Sequence, residues 1–159
     1  MVDPNAAPEL LQSIEALYFG YRAFTSRPDH ILRRRGLGRV HHRILYFIGR
    51  NPSITIQSLL AILDVSKQAL NAPLRQLLAM GLVSVAVAPH DRRMKQLTLS
   101  AEGRQLESQL TATQATHLAA AFTAAGPEAA KGWREVMRTI VEVHGRACGR
   151  PSAASPSAG

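Results

Sequence analysis

The stretch from Ser53 to Gly103 constrains the fold more than any other part of the chain. A compact helical segment is followed by a tight turn at Asp64 and a second helix opening at Val65-Ser66-Lys67-Gln68. Gly81-Leu82-Val83 leads into a β-branched run, a basic turn at His90-Asp91-Arg92-Arg93-Met94-Lys95, and Leu99-Ser100-Ala101-Glu102-Gly103, where another helix starts. In order this is helix, turn, helix, strand, basic hairpin tip, strand, helix. That order suits a winged helix-turn-helix, in which one helix fits a DNA major groove and a cationic loop reaches the neighbouring minor groove.

Local signals place the pieces. Leu10, Ile14, Leu17, Tyr21 and Phe24 recur at helical spacing and predict a first helix over roughly 9–25. A second helix is expected over Gly38–Arg50, with Gly36 and Gly38 before it and Asn51-Pro52 stopping it, because a residue preceding proline is pushed out of the helical region. Thr55 can cap a third helix whose Leu59, Leu60, Leu63 and Val65 face inward, and Ser66 a fourth that buries Leu70, Leu74, Leu77 and Leu78. Pro73 lies inside that fourth helix and is expected to kink it or to shift its regular part toward the C-terminal end. Leu82–Val87 and Lys95–Leu99 form the arms of a hairpin.

The candidate contacts sit on these elements. Lys67, Asn71 and Arg75 fall at i, i+4 and i+8 with Gln68 beside them, so one face of the fourth helix carries donors for base edges and phosphates; an ordinary solvated face is the alternative. Ser66 opens the same helix. At the hairpin tip His90, Arg92, Arg93 and Lys95 are basic, and the Asp91 carboxylate is expected to hold one guanidinium in a pose suited to a narrow, negative minor groove. Arg33-Arg34-Arg35 with Arg39 form a further basic group, either touching phosphates or merely solvated.

Charge supports a polyanionic partner. The formal net charge is +8, and from Arg27 to Arg104 thirteen Lys and Arg face four Asp and Glu, whereas the rest of the chain has six against seven. The excess is confined to the centre, where it would release counterions from nucleic acid. The chain of 159 residues suits one domain and contains no apolar run of about 18 residues. The start, Met1-Val2-Asp3-Pro4-Asn5, is unlike a secretory signal, and a single cysteine, Cys148, supports no internal disulfide; both suit a cytoplasmic protein. No phosphate loop, nucleophile elbow or zinc spacing is found, so neither catalysis, nor a cofactor, nor a metal is expected. The expected fold class is mainly α with a small β-hairpin wing: a winged helix-turn-helix lobe plus a helical dimerisation region.

Asp91-Arg92-Arg93-Met94-Lys95 followed after three residues by Leu99-Ser100-Ala101-Glu102-Gly103 resembles the wing signature of the MarR family of bacterial regulators, with serine where threonine is usual. Gln76–Val83 resembles that family's end of the recognition helix. Asp64, where the family often has glycine, and Pro73 depart from the pattern. The resemblance implies a dimer with interlocked first and last helices, a small-molecule cleft between dimer base and DNA-binding lobes, and a single MarR-like domain over 9–147. Its winged-helix core would span about 38–103 and its dimerisation helices about 9–25 and 100–147, flanked by a flexible start (1–8) and a disordered tail (148–159).

The residues independently favour association. Leu106, Leu110, Thr113 and His117 form one stripe, and Trp133, Val136, Met137, Ile140, Val141 and His144 another on a helix opened by Pro127. A lobe of about 80 residues cannot cover all these faces, and a twofold dimer would set two recognition helices against a pseudo-palindromic operator in double-stranded DNA. Tyr18, Tyr21, Arg22, His41, His42 and Tyr46 place polar-tipped side chains among apolar ones and are the candidates for binding a small aromatic or phenolic effector; satisfied core residues are the alternative. His41, on the stripe Leu37, His41, Ile44, Ile48, reads first as a hydrogen-bonded core or cleft histidine, and adjacent His41 and His42 diverge too far on a helix to share one metal ion. The expected function is therefore a dimeric, sequence-specific DNA-binding repressor released by an effector. An architectural DNA-binding dimer without effector and a winged-helix protein-docking module are the alternatives.

Overall fold

The computed structural model describes residues 8–147. Their order is α1 (Pro8–Arg33), α2 (Arg39–Arg50), β1 (Ile54–Thr55), α3 (Ile56–Leu63), α4 (Lys67–Ala79), β2 (Val83–Ala88), β3 (Asp91–Leu99), α5 (Ala101–Ala125) and α6 (Pro127–Ala147). The fold is mainly helical with one small antiparallel sheet, as expected. The residues form two compact units that divide within α5, one ending at His117 and the other starting at Leu118. Residues 1–7 and the tail with Cys148 lie outside the described residues, while Pro8, expected in the flexible start, opens α1. No helix among the described residues is long and apolar enough to cross a membrane.

Three helices of the first unit end by one device. At Gly36 (φ 69°), Asp64 (φ 53°) and Gly81 (φ 69°) the chain turns left-handed. The amide of the following residue then bonds back five residues, Leu37 to Leu32, Val65 to Leu60 and Leu82 to Leu77. Asp64 does without a glycine because aspartate tolerates this region better than most residues. The starts follow the caps foreseen from sequence: Thr55 Oγ1 accepts from the Ser58 amide at 3.1 Å, and Ser66 Oγ from that of Ala69 at 3.1 Å. Asn51 closes α2, its Nδ2 donating to the Phe47 carbonyl at 2.8 Å.

Three expectations are corrected. First, α1 does not stop near residue 25 but continues through Pro28 to Arg33. The buried Pro28 and Leu32 extend its inner face, and packing outweighs the bond that proline forfeits. Second, Pro73 does not confine the regular part of α4 to its C-terminal end: the helix is one run of 13 residues from Lys67, with Leu70, Leu74 and Leu77 buried on both sides of the ring. Third, of the four residues expected to face inward from α3 and the turn after it, Leu59 is buried and Leu60 and Leu63 pack partly buried against the core as expected, but Val65 is exposed.

The core of the first unit joins Leu32, Ile44, Leu45, Ile48, Leu59 and Leu77 to Leu82 and Leu97 of the wing arms and to Leu106 and Leu110 of α5. The beginning of α5 is therefore lobe core, and its apolar stripe is not free there for a second copy. The sheet order is β1-β3-β2, with Ile54 opposite Leu97 and Val83 opposite Leu99. Two-residue β1 is too short to show alternation and carries no signal readable from residues alone. The Ser100 amide and hydroxyl both donate to the Leu82 carbonyl, at 3.1 and 3.3 Å, fastening the root of the wing to the start of α5.

Candidate nucleic-acid interface

Because Leu70, Leu74 and Leu77 turn inward, α4 presents its opposite side to solvent, and Lys67, Gln68, Asn71 and Arg75 are all exposed. Lys67, Asn71 and Arg75 drift by about 40° per step around the axis, so they form one slowly winding stripe. Ser66 is exposed too, with its oxygen committed to the cap, leaving its hydroxyl proton to donate. The first-turn amides of α4 add the positive end of a helix dipole at the same edge.

The wing tip is shaped differently from the expectation. Among the described residues the Asp91 carboxylate holds no guanidinium; its Oδ1 accepts the backbone amide of Arg93 at 2.8 Å. A carboxylate two residues before an amide makes a local turn at little entropic cost, whereas fixing a long arginine side chain would sacrifice its rotamer freedom. The pairing supports this: Val87 faces Lys95 and Ala88 faces Asp91, leaving Arg92, Arg93 and Met94 in an irregular bulge. Arg92, Arg93, Lys95 and His90 are exposed, and neither arginine forms an ion pair among the described residues. Asp91 thus shapes the backbone that carries the cations.

The basic group before α2 is largely spent within the lobe. Arg39 pairs with Asp29 at 2.8 Å, Arg35 with Glu102 at 3.4 Å, and Arg33 Nε donates to the Asp29 carbonyl at 3.4 Å. The Asp29 carboxylate raises the Arg39 pKa further above its ordinary value. Arg34 is exposed.

The six residues considered for effector binding are placed as follows. Tyr21 accepts from Arg43 Nη2 at 3.1 Å through its hydroxyl and stacks under the Arg39 guanidinium, 5.3 Å from the ring centre. Arg22 lies over the exposed Tyr18 ring, and Tyr46 packs edge-on against Phe47. His42 is half-buried, and burial pushes its pKa below the ordinary value against the opposing pull of Glu107 and Asp29. His41 is buried, with both ring nitrogens hydrogen-bonded, to the Gly38 amide and to Gln76. None of the six lines the open groove of about 440 Å³ formed by Ser26, Arg27, His30, Ile31 and Arg33 of α1 with Thr113 of α5. Sequence reading missed this groove, since Pro28 hid the continuation of α1 that builds it. It also missed Gln76, which stands beside Arg75 and shows its partner only in three dimensions.

Comparison with known proteins agrees with this geometry. A sequence profile of the MarR family matches residues 35–94. The HTH-type transcriptional regulator PetP of Rhodobacter capsulatus is 42% identical over 134 residues, covering 84% of this chain and 81% of that protein. Among solved structures, FabT of Streptococcus pneumoniae in complex with DNA superposes with a TM-score of 0.75 at 16% identity, over 84% of this chain and 99% of that one. NadR in complex with 4-hydroxyphenylacetate gives 0.67 at 20% identity, over 88% and 96%. Family profile, close relative and shared fold agree: this chain belongs to the MarR family of transcriptional regulators.

Proposed function

We propose that this protein is a cytoplasmic, homodimeric repressor that binds a pseudo-palindromic operator in double-stranded DNA and is released by a small phenolic or aromatic effector. One observation carries the DNA reading: the outward face of α4, with Lys67, Gln68, Asn71 and Arg75, and the wing tip of the same compact unit, with Arg92, Arg93 and Lys95, both offer exposed cations, while Arg35 and Arg39 are paired with Glu102 and Asp29. Lys67 and Arg75 would neutralise phosphates, Gln68 and Asn71 would read base edges, and Arg92 and Arg93 would enter the minor groove. FabT, of the same fold, was solved in complex with DNA. The reading assigns no catalysis to the chain.

Uncovered apolar area supports the dimer. Leu10, Leu11, Ile14 and Leu17 of α1 are each at least half exposed, as are Val136, Val141 and Val143 of α6. Faces of this kind on a single copy call for a partner, and a second copy would duplicate the reading head for a two-half-site operator. The effector part rests on NadR, solved with 4-hydroxyphenylacetate, and on the polar-tipped aromatics of α1 and α2.

Fluorescence anisotropy with duplexes from the region upstream of the protein's own gene, with and without random competitor, tests the DNA reading. Selective, salt-dependent binding is the expected result. Binding that ignores sequence would indicate an architectural protein, and no binding a protein-docking module. Phenolic acids that raise the melting temperature should then weaken operator binding. Tenfold release requires about 1.4 kcal/mol of coupling, and hits that never alter operator affinity would remove the effector from the proposal.

A further inference from the structure

Gln76, on the last turns of α4, reaches back to the corner where α1 gives way to α2. Its Nε2 donates to the Gly36 carbonyl at 3.1 Å, and its Oε1 lies 2.9 Å from His41 Nε2. His41 Nδ1 in turn accepts the amide of Gly38 at 3.0 Å. The roles in this chain are forced. A backbone amide can only donate, so Nδ1 carries no proton; the neutral ring then keeps its proton on Nε2 and must donate it to Gln76. That orients the amide with Oε1 toward His41 and Nε2 toward Gly36, whose carbonyl can only accept.

We propose that Gln76 and His41 are positioning residues that fix the rotation of α4 about its own axis, and thereby the selectivity of DNA reading. The inference rests on α4 being the helix that reads DNA. Apolar contacts through Leu70, Leu74 and Leu77 hold α4 against the core, but such contacts are non-directional and tolerate small rolls of the helix. Hydrogen bonds are directional, and these two are aimed at groups that cannot drift. Gly36 is the left-handed residue closing α1, and His41 is 8% exposed in the first turn of α2. A roll of α4 would carry Asn71 and Arg75 out of register with base edges while leaving their charge near the phosphates, so selectivity would suffer before general affinity.

The test uses a duplex selected by the full-length wild-type protein from a randomised library, with mixed-sequence genomic DNA as comparison. Gln76→Met keeps length and apolar stem but neither hydrogen bond. His41→Asn keeps an acceptor for the Gly38 amide but does not reach Gln76, whereas His41→Gln restores a donor toward Gln76. The expected result is a loss of about tenfold in the selected-to-random affinity ratio for Gln76→Met and His41→Asn, with random-DNA affinity and its salt slope unchanged. His41→Gln should recover most of the ratio even if its melting temperature falls. An unchanged ratio in folded Gln76→Met and His41→Asn, or a parallel loss on both DNAs, would overturn the positioning role. Absence of any preferred duplex for the wild type would instead overturn the reading of α4. Should Gln76→Met fail to fold, the two His41 variants carry the comparison.

Discussion

Gly103, in the first turn of α5, lies directly against the backbone carbonyl of Leu82, so a Cβ at this position would overlap the Leu82 oxygen. The carbonyl has no room to retreat, because it accepts from both the amide and the hydroxyl of Ser100, and the Ser100 oxygen in turn takes the Gly103 amide at 3.0 Å. This contact joins the root of the wing to the start of α5. Helix propensity favours alanine over glycine by about 1 kcal/mol, whereas overpacking against fixed backbone costs about 1–3 kcal/mol or more. Gly103→Ala should therefore destabilise the protein and lower its melting temperature by several degrees. Calorimetry showing an equal or higher midpoint would contradict the contact.

At the wing, Arg92→Ala and Arg93→Ala should each weaken operator binding, by about 1–3 kcal/mol for an arginine that enters the minor groove, and reduce the salt slope by about one. Asp91→Ala tests the structural correction. If Asp91 shapes the backbone through the Arg93 amide, its loss should weaken binding through a looser tip, even though removing a negative charge alone would strengthen it. Tighter binding of Asp91→Ala would show that charge outweighs shape here.

On α4, Asn71→Ala should relax sequence preference, while Arg75→Ala should weaken operator and random DNA by similar factors. Competition titrations of the two variants separate these outcomes. Equal losses on both DNAs for Asn71→Ala would remove it from base reading.

Ile140 and Val141 of α6 are 47% and 67% exposed. Replacing both by aspartate should leave each copy folded but raise the dimer dissociation constant by at least tenfold, since burying each aliphatic side chain is worth about 1.5–3 kcal/mol. Sedimentation velocity reads the change. A variant that stays dimeric at micromolar concentration would place the interface elsewhere.

His42 makes stability depend on pH. Burial holds its folded pKa below the ordinary 6.5, so the unfolded chain takes up a proton first as the solution is acidified. The stability it contributes is complete above pH 6.5 and is lost as pH falls through that value toward the lower folded pKa. His42→Gln should flatten this part of the stability profile, measured by urea unfolding. A slope identical to wild type would show that other groups set it.

The helix caps at Thr55 and Ser66, the stop at Asn51, the inward stripes of α2 and α4 and the arms of the wing were legible in the sequence. Each depends on neighbours within about one helical turn or on strand alternation, and such local preferences are written in adjacent residues. The outward Lys67, Asn71 and Arg75 followed from the same periodicity. The remainder needed the tertiary structure. Whether α1 stops at or passes Pro28 was decided by the burial of Leu32, and whether Pro73 breaks α4 by leucines packed on both sides of it. Two-residue β1 exists only because β3 is there to pair with it. Asp91 took a backbone amide rather than a guanidinium, a choice that charge pattern alone left open. His41 and Gln76 meet across 35 residues, and Gly103 touches Leu82 across 21, because the lobe's core brings those backbones together. Local periodicity states which side chains face inward; which of them meet depends on distances that exist only once the helices have packed.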